Sequence, residues 1–234
     1  MAQAQIINIE DKRSRQPDTT AWYGNVDLGF NVYENNGAVY TLKGGLLLEF
    51  QRRKNLYLIV NQFNLVKASG ANFVNDGFQH VRYNYNLRPR VVYEAFAQAQ
   101  YNERVRIRFR GLLGTGLRFQ IFEEQPIFFG TSYMYEYEEE SKSEGIRRGH
   151  RWSSYLSFRY GPTDNFLLAN TSYFQPLFDQ FNDFRLSSQT SILLRVSDRL
   201  NFKSSFSITF DTQVPEGVPS TIYRFNNGIR WIIR

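Results

Sequence analysis

Residues 104–111, RVRIRFRG, set a guanidinium at every second position: Arg104, Arg106, Arg108 and Arg110, with Val105, Ile107 and Phe109 between them. Arginine stays charged at any physiological pH, and its planar fork grips carboxylate or phosphate two-pronged. Such a row suits anion recognition or an ion-pair network better than proton transfer. Groups that move protons near neutrality are scarce. The chain has two histidines, His80 and His150, and no cysteine, which removes disulfides and thiolate metal sites. His80 could pair with Glu94 on a neighbouring strand, and Ser153 or Ser154 follows His150, but no nucleophile elbow frames either serine. Satisfied polar residues in a wet interior account for these groups better than a catalytic pair, so no enzyme is expected. Glu136 and the run Glu138 to Glu140 could gather a divalent cation, yet the mouth of a solvated loop explains them better; neither metal nor cofactor is expected. The GTG at 114–116 lies inside a strand pattern, where glycine marks a bend or a close approach rather than a phosphate loop. The basic RRGHR at 147–151, read as part of a long loop, could meet the phosphates of lipopolysaccharide.

The elements that carry these residues are strands. No period of 3.6 persists anywhere, whereas period two recurs from Trp22 to the end. Val26, Leu28, Phe30 and Val32 alternate with Asn25, Asp27, Gly29 and Asn31; Val81, Tyr83, Tyr85 and Leu87 alternate with His80, Arg82, Asn84 and Asn86. Turn signals divide the chain into about twelve strands, many of about ten residues or more, beyond the five or six usual in soluble proteins. One of them is expected to span 104–122. Tight turns (QRRK, LRP, EEQP, GPTD, SDR) are expected at one end and longer loops, around 67–77, 140–149, 176–183 and 212–220, at the other. That asymmetry is the habit of outer-membrane barrels, and an even strand count puts both termini at the tight-turn end.

Alternation alone does not say which face is buried. A soluble sandwich would turn Val105, Ile107 and Phe109 inward. Three observations favour the reverse. Strands of about ten residues match a tilted crossing of the hydrocarbon layer. Tyr and Trp gather near strand ends, where an interfacial girdle sits. The face that a soluble core would bury contains Tyr83, Tyr85, Tyr93, Tyr135 and Tyr223, whose hydroxyls would need partners in a dry interior. On the lipid side an arginine costs about 2–4 kcal/mol at the midplane, so a row of four must face the lumen. No run approaches the roughly 20 apolar residues of a spanning helix. Basic and aromatic residues fall on opposite faces of most strands, which disfavours nucleic acid.

The sequence also resembles the DUF481 family, outer-membrane proteins described as salt-induced, and in particular its Bacteroidetes branch. The likeness is carried by HVRYNYNL (80–87), YEAFAQAQYN (93–102), RFRGLLGTGLRF (108–119), MYEYE (134–138), RWSSYLS (151–157), SYFQPLFDQFNDFR (172–185) and FDTQVPEGVP (210–219), and covers nearly everything from Trp22 on. It implies a β-barrel in the outer membrane of a Gram-negative cell and transfers no catalytic residues. The chain ends IRWIIR, where such barrels usually end in Phe or Trp as a signal to the barrel-assembly machinery.

The expectation is therefore an all-β protein: an antiparallel transmembrane barrel of about twelve strands over 21–234, with both termini periplasmic. A polar extension, residues 1–20, is expected before it, read as the remnant of signal cleavage, with an ordinary cytosolic N-terminus as the alternative. Val26, Leu28, Phe30, Val105, Ile107, Phe109, Phe206, Ile208 and Ile229 are expected to face lipid. Arg82, Arg104, Arg106, Arg108, Arg110, Arg151, Arg159, Arg224 and Arg230 are expected to form a net-basic lumen network with Glu94, Glu136 and Glu138, with Glu94 beside the arginines of 104–110. Lys43, Arg118, Arg185, Arg195 and Lys203 are also expected inward, against Asp27, Glu49 and Asp211. The expected role is structural, or a narrow pore for small polar or anionic solutes. Expected partners are outer-membrane lipid, lipopolysaccharide and the barrel-assembly machinery. The alternatives are an outer-membrane enzyme acting on lipid or peptide, and a soluble ligand-binding barrel.

Overall fold

The computed structural model describes residues 20–34, 38–68, 71–123, 125–140, 145–197 and 200–231. The N-terminal extension before Thr20 lies outside them, as do the side chains of Asp27, Lys203, Ile229 and Arg230. Among the described residues twelve strands follow one another: β1 (Ala21–Glu34), β2 (Ala38–Arg52), β3 (Asn55–Ala68), β4 (Ala71–Arg88), β5 (Val91–Asn102), β6 (Ile107–Gln120), β7 (Ile127–Glu140), β8 (Ile146–Thr163), β9 (Phe166–Pro176), β10 (Phe184–Arg195), β11 (Leu200–Asp211) and β12 (Thr221–Trp231). They form one antiparallel sheet in sequence order, each strand paired with its chain neighbour. Contacts between strands that are not neighbours in that order show that the sheet is strongly curled. Arg185 on β10 reaches Glu136 on β7, and Tyr155 on β8 reaches Glu94 on β5. Strand lengths of 11 to 18 residues meet or exceed the 9–11 or so that a tilted crossing needs.

The alternation read from the sequence becomes two walls. Outside, Val26, Leu28 and Phe30 are exposed, Leu28 at 77%, as are Phe109, Phe206 and Ile208. Aromatic rings line up across strands near the tight-turn end: Trp22 on Phe50, Phe50 on Tyr57 and Tyr57 on Tyr83, with centroids 4.3, 6.1 and 5.2 Å apart. Register makes this ladder, because Trp22 pairs with Phe50, Phe50 with Tyr57 and Tyr57 with Tyr83. Near the other end Tyr133 stacks on His150 and Phe178, and Trp152 meets Phe181. Inside, Leu47, Leu58, Val60 and Phe78 make a buried apolar patch on β2–β4. Gly130 belongs to the inner wall because the ring of Tyr155 occupies the space a Cβ would take.

Two expectations about the elements change. The segments 67–77 and 146–149 are largely strand, not loop: β3 and β4 run on to Ala68 and Ala71 over a register shift at Val66/Lys67, and β8 starts at Ile146. The strand expected from residue 104 starts at Ile107 instead. Glu103–Val105 form a 3-10 turn whose preceding residue, Asn102, accepts from the Arg104 amide at 3.2 Å, and Arg106 leaves it in the left-handed region at φ 57°.

Candidate functional site

That turn puts the arginine row out of phase. With a second register shift between Ile107 and Phe109, alternate positions no longer share a face. Val105 and Ile107, expected against lipid, are 7% and 3% exposed and pack inside on Val218 and Ile222. Arg108, expected in the lumen, lies outside at 75% side-chain exposure and pairs with Glu139 at 3.4 Å. Arg104 and Arg106 sit at the rim, half-buried in the turn. Of the four, Arg110 alone is buried on the inner wall.

Around Arg110 an ion-pair cluster lies in the long-loop half of the barrel. Arg110 meets Glu138 through both Nε and Nη2, and Arg147 takes the other Glu138 oxygen while holding Glu140 at 3.3 Å. Arg185 binds Asp211 at 2.6 Å, Glu136 at 2.5 Å and Glu138 at 3.4 Å. Arg151 binds Glu136 at 3.3 Å, Asp183 at 3.0 Å and the Gln175 carbonyl at 3.0 Å. Several partners per charge are what this burial demands, since removing an ion from water costs several kcal/mol that one contact rarely offsets. Four guanidiniums face five carboxylates, Glu136, Glu138, Glu140, Asp183 and Asp211, so the cluster carries one acidic charge in excess and not the basic surplus expected of the network. Every carboxylate of the Glu136–Glu140 run faces arginine, and RRGHR is a strand segment whose Arg147 and Arg151 point into this cluster while Arg148 lies over Tyr137.

The β11–β12 loop closes over the cluster. Arg106 donates to the Glu216 carbonyl and Arg147 to that of Gln213, at 3.1 Å for the latter, while Val218 and Ile222 cover Val105 and Ile107. Gly217 takes φ 74°, a left-handed conformation that suits glycine, where Arg106 crosses it.

Below lies a more neutral layer. Arg82 meets Glu94 at 3.5 Å, and the Tyr155 hydroxyl donates to Glu94 at 3.0 Å. Glu94 pairs across strands with Gly116, well away from the arginines of 104–110 that were expected beside it. His80 hydrogen-bonds Gln98 at 3.0 Å rather than Glu94, and Ser153 accepts from Gln175 at 2.8 Å. His150 faces outward while Ser153 faces inward, so the fold does not bring that pair together. Arg118 lies over Phe128 at 3.7 Å, and Arg159 is half-buried. Gly114 of the GTG receives the Phe96 ring, which explains the glycine without a phosphate.

A third group sits on the opposite inner wall. Register aligns Lys43, Asn64, Asp76 and Asn102 in one row across β2–β5. Asp76 accepts from Asn64 at 3.4 Å and lies within electrostatic reach of Lys43 and of Arg224 on β12, which in turn feels Arg104. Asp76, Arg104 and Arg224 are half-buried and Lys43 is exposed, so this patch keeps its access to water. Asp183 and the role of Asp76 are absent from the sequence-based reading, Asp183 because it sits in a loop and Asp76 because its segment reads as one.

Several solved structures are similar to this chain. A porin structure, NanC, superposes with a TM-score of 0.52 at 12% identity, covering 89% of this chain and 99% of that one. The KdgM porin, solved with disordered oligogalacturonate, gives 0.44 at 8% identity over 92% and 100% of the two chains. OccK11 (OpdR) of Pseudomonas aeruginosa gives 0.39 at 10% over 90% and 83%. No curated protein sequence matches the chain. The first likeness establishes the barrel fold. The family model described as "Protein of unknown function, DUF481" matches residues 21–229, and the chain belongs to that family.

Proposed function

We propose that the protein is an outer-membrane barrel that passes small anionic solutes along one side of a narrow lumen. The observation that carries this reading is the wet inner patch: Lys43 and Arg224 lie within reach of Asp76, Arg104 lies within reach of Arg224, and none of the four is fully buried, while the opposite wall is sealed by buried ion pairs. Surplus positive charge beside a water path favours anions. A twelve-stranded barrel lies between the filled eight-stranded and the water-filled sixteen-stranded cases, so the cluster around Glu138 narrows it without needing to fill it. The porin character of NanC supports a pore rather than a catalyst.

The test is conductance of purified protein in a planar bilayer. Small, anion-preferring channels are expected, and Lys43→Gln with Arg224→Gln should erase the preference. Cation preference in the wild type would sink this reading. A second reading, a sealed scaffold, is favoured by the inward β11–β12 loop over a Glu138 side chain of 0% exposure. Inserted protein with no conductance would select it.

A further inference from the structure

On the outer face of β1–β3, at the tight-turn end, lies a groove of about 550 Å³. Trp22, Phe50 and Tyr57 give it an aromatic wall, stacked in register across the three strands. One step along the same outward column, away from the turn, Leu48 and Ile59 provide an apolar floor. One step the other way come Arg52 and Asn55, then Arg53 in the turn itself. Within four residues of β2, or roughly 13 Å at strand rise, the column passes from hydrocarbon through aromatic to cationic. This is the profile of half a bilayer, from acyl chains through the interface to the phosphates.

The charge at the groove's mouth is one-sided. Arg52, Arg53 and Lys54 are all exposed, and the turn carries no acidic residue. The turn between β4 and β5 adds Arg88 and Arg90, again without an acid of its own; Arg90 takes Glu123 from the next turn at 2.7 Å. Clustered cations at a membrane surface attract anionic headgroups, and arginine suits a phosphate because its fork binds two oxygens. Long basic stems also pack along apolar surface while the charge stays at the interface.

We propose that this groove binds one anionic phospholipid of the periplasmic leaflet. Arg52 and Arg53 hold its phosphate, and an acyl chain lies over Leu48 and Ile59 along the aromatic wall. The assignment rests on the reading that the chain spans the outer membrane with its tight turns in the periplasm.

The test is native mass spectrometry of the full chain in mild detergent, with equal phosphatidylglycerol, phosphatidylethanolamine and lipid A added. Preferential retention of phosphatidylglycerol, by about tenfold, is expected. Arg52→Gln with Arg53→Gln should reduce it to the phosphatidylethanolamine level, and Tyr57→Ala should lower retention of both lipids. Equal retention by the wild type, or a variant that binds as the wild type does, would overturn the site. Preference for lipid A over phosphatidylglycerol would also overturn it, by placing the groove in the outer leaflet. Insertion into vesicles and heat-shifted gel migration are followed on the same samples. If these persist while lipid preference is absent, the site fails and the barrel stands; if they are absent, both fail.

Discussion

Two patches of charge face each other inside this barrel, and they behave as different materials. On β6–β11, Arg110, Arg147, Arg151 and Arg185 are locked to carboxylates, and both partners of most pairs are shut away from water. On β2–β4 and β12, Lys43, Asp76 and Arg224 interact at longer range and stay wet. The same residue types thus serve as mortar on one wall and as a polar lining on the other. Burial decides which: a dry charge must be matched, whereas a wet one can stand in surplus.

The sharpest way to break the contrast is Glu138→Gln. It removes the carboxylate shared by Arg110, Arg147 and Arg185, and breaking a buried pair on one side costs about 3–5 kcal/mol. The urea midpoint of folded protein in detergent should fall accordingly. Tyr155→Phe comes next. It deletes the 3.0 Å hydrogen bond to Glu94, worth about 1.5–3 kcal/mol for a charged acceptor, and the same titration reads it. Asp76→Asn on the wet wall should cost under about 1 kcal/mol while raising anion preference in bilayer recordings, which separates lining from mortar. Arg90→Gln breaks the exposed pair with Glu123 outside the barrel and should change stability by less than about 0.5 kcal/mol. If Glu138→Gln proved as mild as Arg90→Gln, the two walls would not differ as described.

The two walls of the barrel differ in how far the amino-acid sequence alone reveals them. The outer band at Val26, Leu28 and Phe30 follows from alternation because β1 pairs with β2 without a slip from Ala21 to Glu34. The arginine row shows how the same rule fails. RVRIRFR alternates perfectly on paper, but a 3-10 turn and a register shift each spoil the phase, so Ile107 and Arg108 exchange the walls expected of them. The YNER that opens this stretch carries the local sign, an Asn able to cap the turn. Arg110 with Glu138 is inferable from neighbouring strands. Arg185 with Glu136 is not, since it depends on curvature that joins strands distant in the sheet. In LYLIVNQFNLV both faces are apolar, and only the partners on β2 and β4 turn Leu58 and Val60 inward.

The neighbour-to-neighbour pairing of the strands has a consequence for assembly. Each hairpin can form as soon as its own two strands exist, which keeps most contacts local and early. The arginine cluster obeys the opposite schedule. It draws on β6, β7, β8, β10 and β11, so a growing sheet leaves Glu136 and Glu138 half-partnered until Arg185 arrives, and Arg185 short of a partner until Asp211 does. β10 and β11 therefore complete the ionic interior: the carboxylates of β7 gain their full set of partners only when both strands are in place.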